Sequence, residues 1–176
     1  DDAVDAGNGA NFRTLRKGTM TKSHKPAIAA DTAPAQRGTD YPEAFAGNIV
    51  ERTKWALGDA FALTGFGVNL VRLPAGEISS HRHWHSNEDE LVYVLQGELT
   101  LITDGGEQTI GAGMTVGFPA GIEDGHQLVN RSNADAVYLE VGERKANDVC
   151  AYPDIDLRFI KKDNQEFFTN KDGTPC

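Results

Sequence analysis

The chain has 176 residues, 39% hydrophobic and 24% charged, which is the size and balance of one globular domain with its own core. Its net charge of −9, with no marked cluster of Lys or Arg, argues against a nucleic-acid surface and against binding to anionic membranes. No apolar stretch approaches 18 residues, so no transmembrane helix is predicted, and two lone cysteines, Cys150 and Cys176, predict free thiols in a reducing, cytoplasmic compartment.

The first zone, residues 1–40, is polar and has no sustained hydrophobic period. It therefore predicts a flexible, partly disordered N-terminal arm. Residues 1–19, which precede Met20, are interpreted as an artificial leader or as an alternative upstream start. The arm has a second interpretation, as a strand exchanged with a second subunit, and His24 within it is expected to be solvated.

The second zone, residues 41–160, consists of short runs that favour strands, separated by turn residues and with no helical period between them. Asp104-Gly105-Gly106-Glu107 is a strong hairpin signal. About eight strands at intervals of 8 to 12 residues predict an all-β jelly roll or closed barrel, with an interior that holds one small ligand. The predicted strands are 61–73, 77–85, 90–95, 98–103, a return that starts at 108–110, 114–118, 125–131 and 136–141.

The last zone begins near Lys145 and is expected to form a short element over the barrel, followed by a partly ordered tail at residues 161–176. Phe159, Phe167 and Phe168 are interspersed in this polar segment. We interpret these aromatic residues as packing groups. The functional alternative is a lid over the mouth of the barrel.

Histidines are concentrated in the middle of the chain, where four of the five lie between positions 81 and 126. Residues i and i+2 of an extended strand point to the same face, so His83 and His85 can direct both imidazoles at one point. After a short turn, Glu90 can begin a neighbouring strand and supply a third ligand. Imidazole nitrogen and carboxylate oxygen suit Zn, Fe, Mn, Ni or Cu.

At this point the chain resembles the cupin superfamily, which carries two motifs in a fixed order. The first is approximately G-x5-H-x-H-x(3,4)-E-x6-G and the second G-x5-P-x-G-x2-H-x3-N. Gly76 lies one residue farther from His83 than the pattern asks, and two extra residues precede His126; both departures fall in turns, which tolerate insertions. The matching residues are Gly76, His83, His85, Glu90 and Gly97, and then Gly113, Pro119, Gly121, His126 and Asn130.

The resemblance covers about residues 60–145 and implies a double-stranded β-helix. It also implies that His83, His85, Glu90 and His126 bind one divalent metal ion, namely Fe, Zn, Mn or Ni. One alternative replaces His83 by His81, paired with Glu88, but the spacing from Glu88 to Gly97 fits the first motif less well. Otherwise His81 either orients a ligand through its second ring nitrogen or lies exposed.

The parity of the strands predicts what surrounds this site. Val92 and Val94 share the parity of Glu90, so a mainly aliphatic wall and a small substrate, held by its metal-chelating group, are expected. Trp84 is expected to pack outside the barrel. The arginines near the motifs, which are Arg72, Arg82 and Arg131, have the parity opposite to that of the inward residues, which counts against a phosphorylated substrate.

Two classes of function remain open. The first is a metalloenzyme that acts on a small oxygenated organic molecule, as a dioxygenase or a sugar-type isomerase. His81 is a candidate base for isomerisation, whereas Tyr93 has the wrong parity for the cavity. The second class is a non-catalytic protein that binds or senses a small molecule. The resemblance further implies a homodimer that pairs through outer strands, where Tyr93 and Trp84 are expected to lie.

Overall fold

The computed structural model describes residues 27–47, 49–163 and 165–176, so the expectations for residues 1–19 and His24 lie outside the described residues. None of the helices in this part of the chain is long and apolar enough to span a membrane. The strands are β1 (Ala35–Arg37), β2 (Thr53–Ala56), β3 (Phe66–Leu73), β4 (Trp84–His85), β5 (Glu90–Gln96), β6 (Glu98–Thr103), β7 (Gly106–Gly111), β8 (Thr115–Phe118), β9 (Gln127–Val129), β10 (Ala136–Glu143), β11 (Asp148–Tyr152), β12 (Leu157–Lys162) and β13 (Gln165–Thr169).

The helices are short. Two 3₁₀ turns cover Ala30–Thr32 and Glu43–Phe45, and the α-helix α1 (Leu57–Ala60) has a single turn. The antiparallel strands form a six-stranded sheet in the order β1-β2-β3-β10-β5-β8, a three-stranded sheet β7-β6-β9 and a four-stranded sheet β13-β12-β11-β4. The prediction of an all-β jelly-roll barrel is confirmed.

The main core lies between the six-stranded and the three-stranded sheets. Alternate residues of β3, β5 and β10 point into it, and those of β6 and β9 meet them from the other side, as the two-residue period of a strand requires. Burying these side chains supplies the largest favourable term for folding. The buried residues are Val71, Leu73, Val92, Val94, Leu99, Leu101, Ile110, Leu128, Ala136 and Tyr138.

The segment predicted as one strand over residues 77–85 is irregular. Its backbone pairs with β9 at three points, where the amides of Gly76, Ser79 and His83 donate to the carbonyls of Asn130, Leu128 and His126. Eight residues, 76 to 83, thus lie opposite five residues of the partner segment, 126 to 130. The three extra residues bulge out and break the alternation that the prediction assumed.

The barrel interior changes from apolar to polar along β10. Tyr138 pairs with Val71 of β3 and Val94 of β5, and two residues later Glu140 pairs with Asn69 and Val92 of the same strands. The third row places Gly142 between Gly67 and Glu90. Since glycine has no side chain, this row leaves space around Glu90 at the open end of the barrel.

The C-terminal region forms more strands than the sequence analysis assigned. Strands β11, β12 and β13 join β4 in the four-stranded sheet and cover a second core. Buried Tyr152 and Leu157 lie there, and Phe159 and Phe168 pack against them, which confirms that these two aromatic residues are packing groups. At the other end of the chain, β1 pairs with β2 at the edge of the large sheet. The limits at residues 40 and 160 stay predictions.

Candidate metal centre

His83 and His126 lie directly opposite each other on neighbouring segments. The His83 amide donates to the His126 carbonyl at 3.1 Å, and the His126 amide donates to the His83 carbonyl at 2.8 Å. This reciprocal pair of bonds holds the two imidazoles next to each other, with ring centroids 4.6 Å apart and the ring planes tilted by 47°. Phe118 stacks on the far side of His126 at 3.5 Å between ring centroids, so the ring of His126 is held between two neighbours.

His85 is positioned by two loops and by β11. Its carbonyl accepts a hydrogen bond from the amide of Gly121 at 2.8 Å, and its strand pairs with Cys150. Gly121 has φ +75°, a conformation that strongly favours glycine, so its place in the second motif has a backbone reason. His85 lies beside His83 as their spacing predicts, with ring centroids 5.3 Å apart.

The Nε2 atoms of the three imidazoles converge on one oxygen of Glu90. The distances from Glu90 Oε2 to Nε2 are 3.0 Å for His126, 3.7 Å for His85 and 3.8 Å for His83. Each of the four side chains is less than a fifth exposed. The structure therefore brings together all four residues that the two motifs indicate, inside the barrel and shielded from bulk solvent.

This donor set fits a divalent metal ion. Bonds of about 2.1 Å to nitrogen and oxygen ligands place neighbouring ligand atoms roughly 3.0 to 3.4 Å apart. The observed distances to Glu90 Oε2 begin in this range, at 3.0 Å for His126, and exceed it at 3.7 and 3.8 Å for His85 and His83. His83, Glu90 and His126 offer ligand atoms that all lie within 4.8 Å of one another. The buried Nδ1 of His126 has no hydrogen-bond partner among the described residues.

Two of the imidazoles are oriented through their other ring nitrogen. His85 Nδ1 lies 2.6 Å from Asp148 Oδ2, and His83 Nδ1 lies 2.8 Å from the His81 carbonyl. A donor hydrogen on each Nδ1 satisfies these oxygen acceptors, and Nε2 is the ring nitrogen that is directed at Glu90. Both rings are thus held in an orientation in which Nε2 can bind a metal.

Burial and charge act differently on the members of the cluster. Burial, reinforced by repulsion from His126, lowers the pKa of His83 to about 4. Burial also opposes the charged form of His85, but the hydrogen bonds to Asp148 and Cys150 and the charge of Glu90 together outweigh it and raise its pKa to about 11. A metal ion would therefore displace a proton from His85 Nε2 when it binds. Burial would raise the pKa of Glu90, but His126 and the other two imidazoles lower it well below its usual range, so the carboxylate stays ionised.

His81 does not join the cluster. Its Nε2 lies 2.7 Å from the carbonyl of Phe45, and its ring packs against Tyr41 with centroids 5.0 Å apart. The main-chain carbonyl of His81 orients the ring of His83, whereas the sequence analysis expected the imidazole of His81 to orient a ligand. Glu88, the partner of His81 in the alternative ligand set, instead accepts hydrogen bonds from Lys161 Nζ at 2.8 Å and from the amide of Lys145 at 2.7 Å.

The structure offers two further donor sets next to the first. His83 and His85 also lie within reach of Cys150, whose thiol is buried, and burial raises its pKa. His85, Glu88 and Asp148 form the other set. In both sets His85 is shared, so neither is independent of the four-residue cluster around Glu90.

A cavity of about 80 Å³ lies beside the cluster and reaches Glu90, His85 and His126. Its remaining walls include Trp84 and Phe118. Trp84 was expected outside the barrel, but β4 has only two residues and belongs to the four-stranded sheet, so the parity of the barrel strands does not apply to it. A cavity of this size holds a small molecule or part of one.

A polar group of side chains lies on the neighbouring strands β2, β3 and β10, outside the lining of this cavity, and the sequence analysis missed it. Glu140 Oε1 accepts hydrogen bonds from Lys54 Nζ at 2.9 Å and from Asn69 Nδ2 at 3.0 Å. Lys54 lies on β2, a four-residue strand without an alternating pattern, so only its pairing with β3 reveals that it faces inward. Asp148 was missed for a similar reason, since it lies 63 residues from His85 in the sequence.

The three arginines near the motifs are engaged elsewhere. Arg72 pairs with Asp135, Arg131 pairs with Glu107, and Arg82 binds both Asp154 and Asp104. Their guanidinium groups are held by carboxylates outside the metal-ligand cluster.

Comparison with known proteins gives a consistent result. The family model described as the cupin domain matches residues 69–142, which include all four residues of the cluster. No curated protein matches the chain.

Solved structures resemble the chain over most of its length. One is a sugar phosphate isomerase of the cupin superfamily from Silicibacter pomeroyi, 40% identical, with a TM-score of 0.81 over 86% of this chain and 96% of that one. A second, described as a candidate sugar phosphate isomerase from Acidithiobacillus ferrooxidans, is 30% identical, with a TM-score of 0.65 over 72% and 80%. A predicted oxalate decarboxylase from Thermotoga maritima, 22% identical with a TM-score of 0.55 over 68% and 99%, shares the fold.

Proposed function

Because the chain belongs to the cupin superfamily, we propose that it is a metal-dependent isomerase of small hydroxylated carbonyl compounds of the sugar type. One divalent ion, Fe, Zn, Mn or Ni, is held by His83, His85, Glu90 and His126. The observation that carries the proposal is the convergence of three imidazole Nε2 atoms on Glu90 Oε2, within 3.8 Å. A metal bound there would act as a Lewis acid toward a carbonyl oxygen.

Two observations favour isomerisation over oxygenation. Two solved relatives that are at least 30% identical are described as sugar phosphate isomerases, one of them as a candidate. Moreover, the interior carries charged and amide groups at Lys54, Asn69 and Glu140, which suit a substrate with hydroxyl groups. Lys54 and Asn69 both bind Oε1 of Glu140, so Oε2 is the oxygen that an aromatic or diketone substrate would leave without a partner.

The residues around the proposed metal site have different roles. Asp148 and the His81 carbonyl hold Nδ1 of His85 and His83, so that both rings direct Nε2 to the centre. Trp84 and Phe118 line the cavity, exclude water and strengthen polar contacts there. The small cavity selects a compact substrate.

The test begins with elemental analysis of protein purified without added metal. The proposal expects about one equivalent of a divalent metal, and interconversion of aldose and ketose in a panel of five- and six-carbon sugars, with and without phosphate, followed by NMR. His126→Ala should lose both the metal and the turnover. The matched control is His81→Ala, because His81 is outside the cluster, and it should keep the metal.

Other outcomes would replace the proposal. Iron together with O₂ uptake on diketones or phenols would assign a dioxygenase. Tight binding of a sugar with no turnover by the metal-loaded protein would assign a binding or sensing protein. A full equivalent of metal in His126→Ala would refute the ligand assignment itself.

We also propose that the protein forms a homodimer through the outer face of the large sheet. Leu91, Tyr93 and Leu95 alternate along β5 on this face and are each 40% to 45% exposed. Half-buried Val141 and Leu139 of β10 lie beside them, so the patch is contiguous. A second copy would cover this apolar area, and Tyr93→Glu should shift the mass measured by light scattering from dimer to monomer. A single mass equal to one chain for the unmodified protein would refute it.

We propose a cytoplasmic location, which the two free thiols of Cys150 and Cys176 support.

A further inference from the structure

We infer that Glu140 is the residue that moves the proton during isomerisation, an assignment that rests on the proposed function. An isomerase of this type needs a base within reach of the carbon next to the substrate carbonyl. Neither candidate from the sequence meets this requirement. The ring of His81 is bound to the Phe45 carbonyl, and Tyr93 lies on the outer face of the sheet.

Glu140 has the right placement relative to the centre. It lies two residues before Gly142, which pairs directly with Glu90. A Cβ built on Gly142 would lie 3.6 Å from Cγ of Glu90. Because two residues of a strand span about 7 Å, the two carboxylates lie one row apart on the same inward face. A small molecule held at the centre would bridge this gap.

The carboxylate of Glu140 is held firmly but is not fully used. Both Lys54 and Asn69 bind Oε1, and Oε2 makes no hydrogen bond to any described residue. The side chain of Glu140 is 24% exposed and lies outside the lining of the 80 Å³ cavity, so a substrate would reach Oε2 by extending from Glu90 one row along β10. Burial disfavours its charge, but Lys54 lowers the pKa of Glu140 below its usual value, so the group is a carboxylate at neutral pH.

The other interior hydroxyl is less suited to the role. Tyr138 lies two residues before Glu140 on the same face, but its hydroxyl is completely buried and has no partner among the described residues. Burial raises the pKa of Tyr138 far above its usual value, so it stays protonated and cannot act as a base near neutral pH. Two other carboxylates line the cavity, but Glu88 is bound by Lys161 and by the amide of Lys145, and Asp124 by the amide of Asp104. Glu140 is the carboxylate on the inward face of β10, one row from Glu90.

The proposed step is balanced within the substrate and the protein. Glu140 Oε2 takes the proton from the carbon next to the carbonyl, and the electron pair of that C–H bond forms the C=C bond of an enediolate. The carboxylic acid of Glu140 then returns a proton to the neighbouring carbon, while the hydroxyl proton moves between the two substrate oxygens. No oxidant or reductant is needed.

The experiment measures proton exchange directly. The metal-loaded protein is incubated in D₂O with the same panel of sugars, and ¹H NMR follows the loss of the hydrogen next to the carbonyl. Glu140→Gln keeps the shape of the side chain and removes the base, so exchange should fall by roughly 10²- to 10⁴-fold. Glu140→Asp keeps the carboxylate on a side chain shorter by one methylene, so it should reduce exchange less than Glu140→Gln does. Glu107→Gln, at an exposed ion pair on β7, is the matched control and should exchange at the unmodified rate.

Two readouts other than activity separate this role from a structural one. Glu140→Gln should keep the metal content of the unmodified protein. Its affinity for the sugar alcohol of the fastest-exchanging sugar, measured by calorimetry, should stay within about threefold of the unmodified value. If Glu140→Gln exchanges the proton at the unmodified rate, the inference is wrong and the proposed function stands. The same conclusion holds if the variant loses affinity for the sugar alcohol by the same factor as it loses exchange. Absence of exchange in the unmodified metal-loaded protein overturns the proposed function and this inference together.

Discussion

Replacing Asp148 by Asn tests how the second layer of the site supports the first. Asp148 is buried, and its Oδ2 lies 2.6 Å from His85 Nδ1. Its Oδ1 accepts hydrogen bonds from the amide of Asn87 at 2.8 Å and from Ser86 Oγ at 3.1 Å. All three contacts need an acceptor, and an Asn side chain offers only one acceptor oxygen. Either His85 or the Asn87 amide must therefore face an NH₂ group.

The expected cost follows from that mismatch. Loss of the carboxylate that orients a metal-binding histidine lowers metal affinity by roughly 10- to 100-fold, which corresponds to about 1.4 to 2.7 kcal/mol. A buried donor left without an acceptor adds about 1 to 3 kcal/mol to the loss in free energy of unfolding. Because the ligands themselves remain, some metal binding should persist, unlike in a variant that lacks a ligand.

The assay is competition with a chromogenic chelator at neutral pH, together with chemical denaturation of the metal-free protein. Asp135→Asn, which breaks the half-exposed ion pair with Arg72, is the control and should leave metal affinity unchanged. If Asp148→Asn binds metal as tightly as the unmodified protein, the role assigned to Asp148 is wrong. If the control loses affinity equally, the effect is one of net charge.

Three further predictions test the site and the fold. His83→Ala and His126→Ala should each abolish stoichiometric metal by elemental analysis and lower the melting temperature of protein saturated with metal. Gly97→Ala should lower the free energy of unfolding, measured by urea denaturation, by at least about 1 to 2 kcal/mol. The reason is that Gly97 has φ +79° and an added Cβ would lie 2.8 Å from the Asp135 carbonyl oxygen. An unchanged denaturation midpoint would contradict this geometry. Since the folded pKa of Glu140 lies below its usual value of 4.5, its contribution to stability is complete above about pH 4.5 and is lost as the pH falls. The difference in unfolding free energy between Glu140→Gln and the unmodified protein should therefore shrink from pH 6 to pH 3.5, and a constant difference would show that the carboxylate is not stabilised by folding.

Strands in which apolar and polar residues alternate without interruption could be predicted from the sequence. The strand Glu98–Thr103 has the predicted bounds, since Leu99 and Leu101 alternate with polar residues and a glycine turn follows. The inward parity of Val92 and Val94 was also correct, because both are buried on an uninterrupted strand. Alternation along a single strand is enough to decide which face is buried.

Elements that depend on a partner could not be predicted. Strand β2 has four half-buried residues and no alternating pattern, so its place beside β3 is decided by pairing across the sheet. The segment from Gly76 to His83 bulges, because its backbone must match a shorter stretch of its neighbour. The aliphatic wall that the parity predicted does not line the cavity, because Val92 and Val94 lie in the hydrophobic core.

The sequence by itself determined the class of the fold and the residues worth testing as ligands, because both follow from short-range order: turn spacing, alternation and the two histidine motifs. Only the tertiary structure decided that His83 rather than His81 faces Glu90. It also decided that Asp148 supports His85 and that Glu140 enters the same interior. These relations join residues separated by up to 86 positions, as Lys54 and Glu140 are, and strand pairing fixes them.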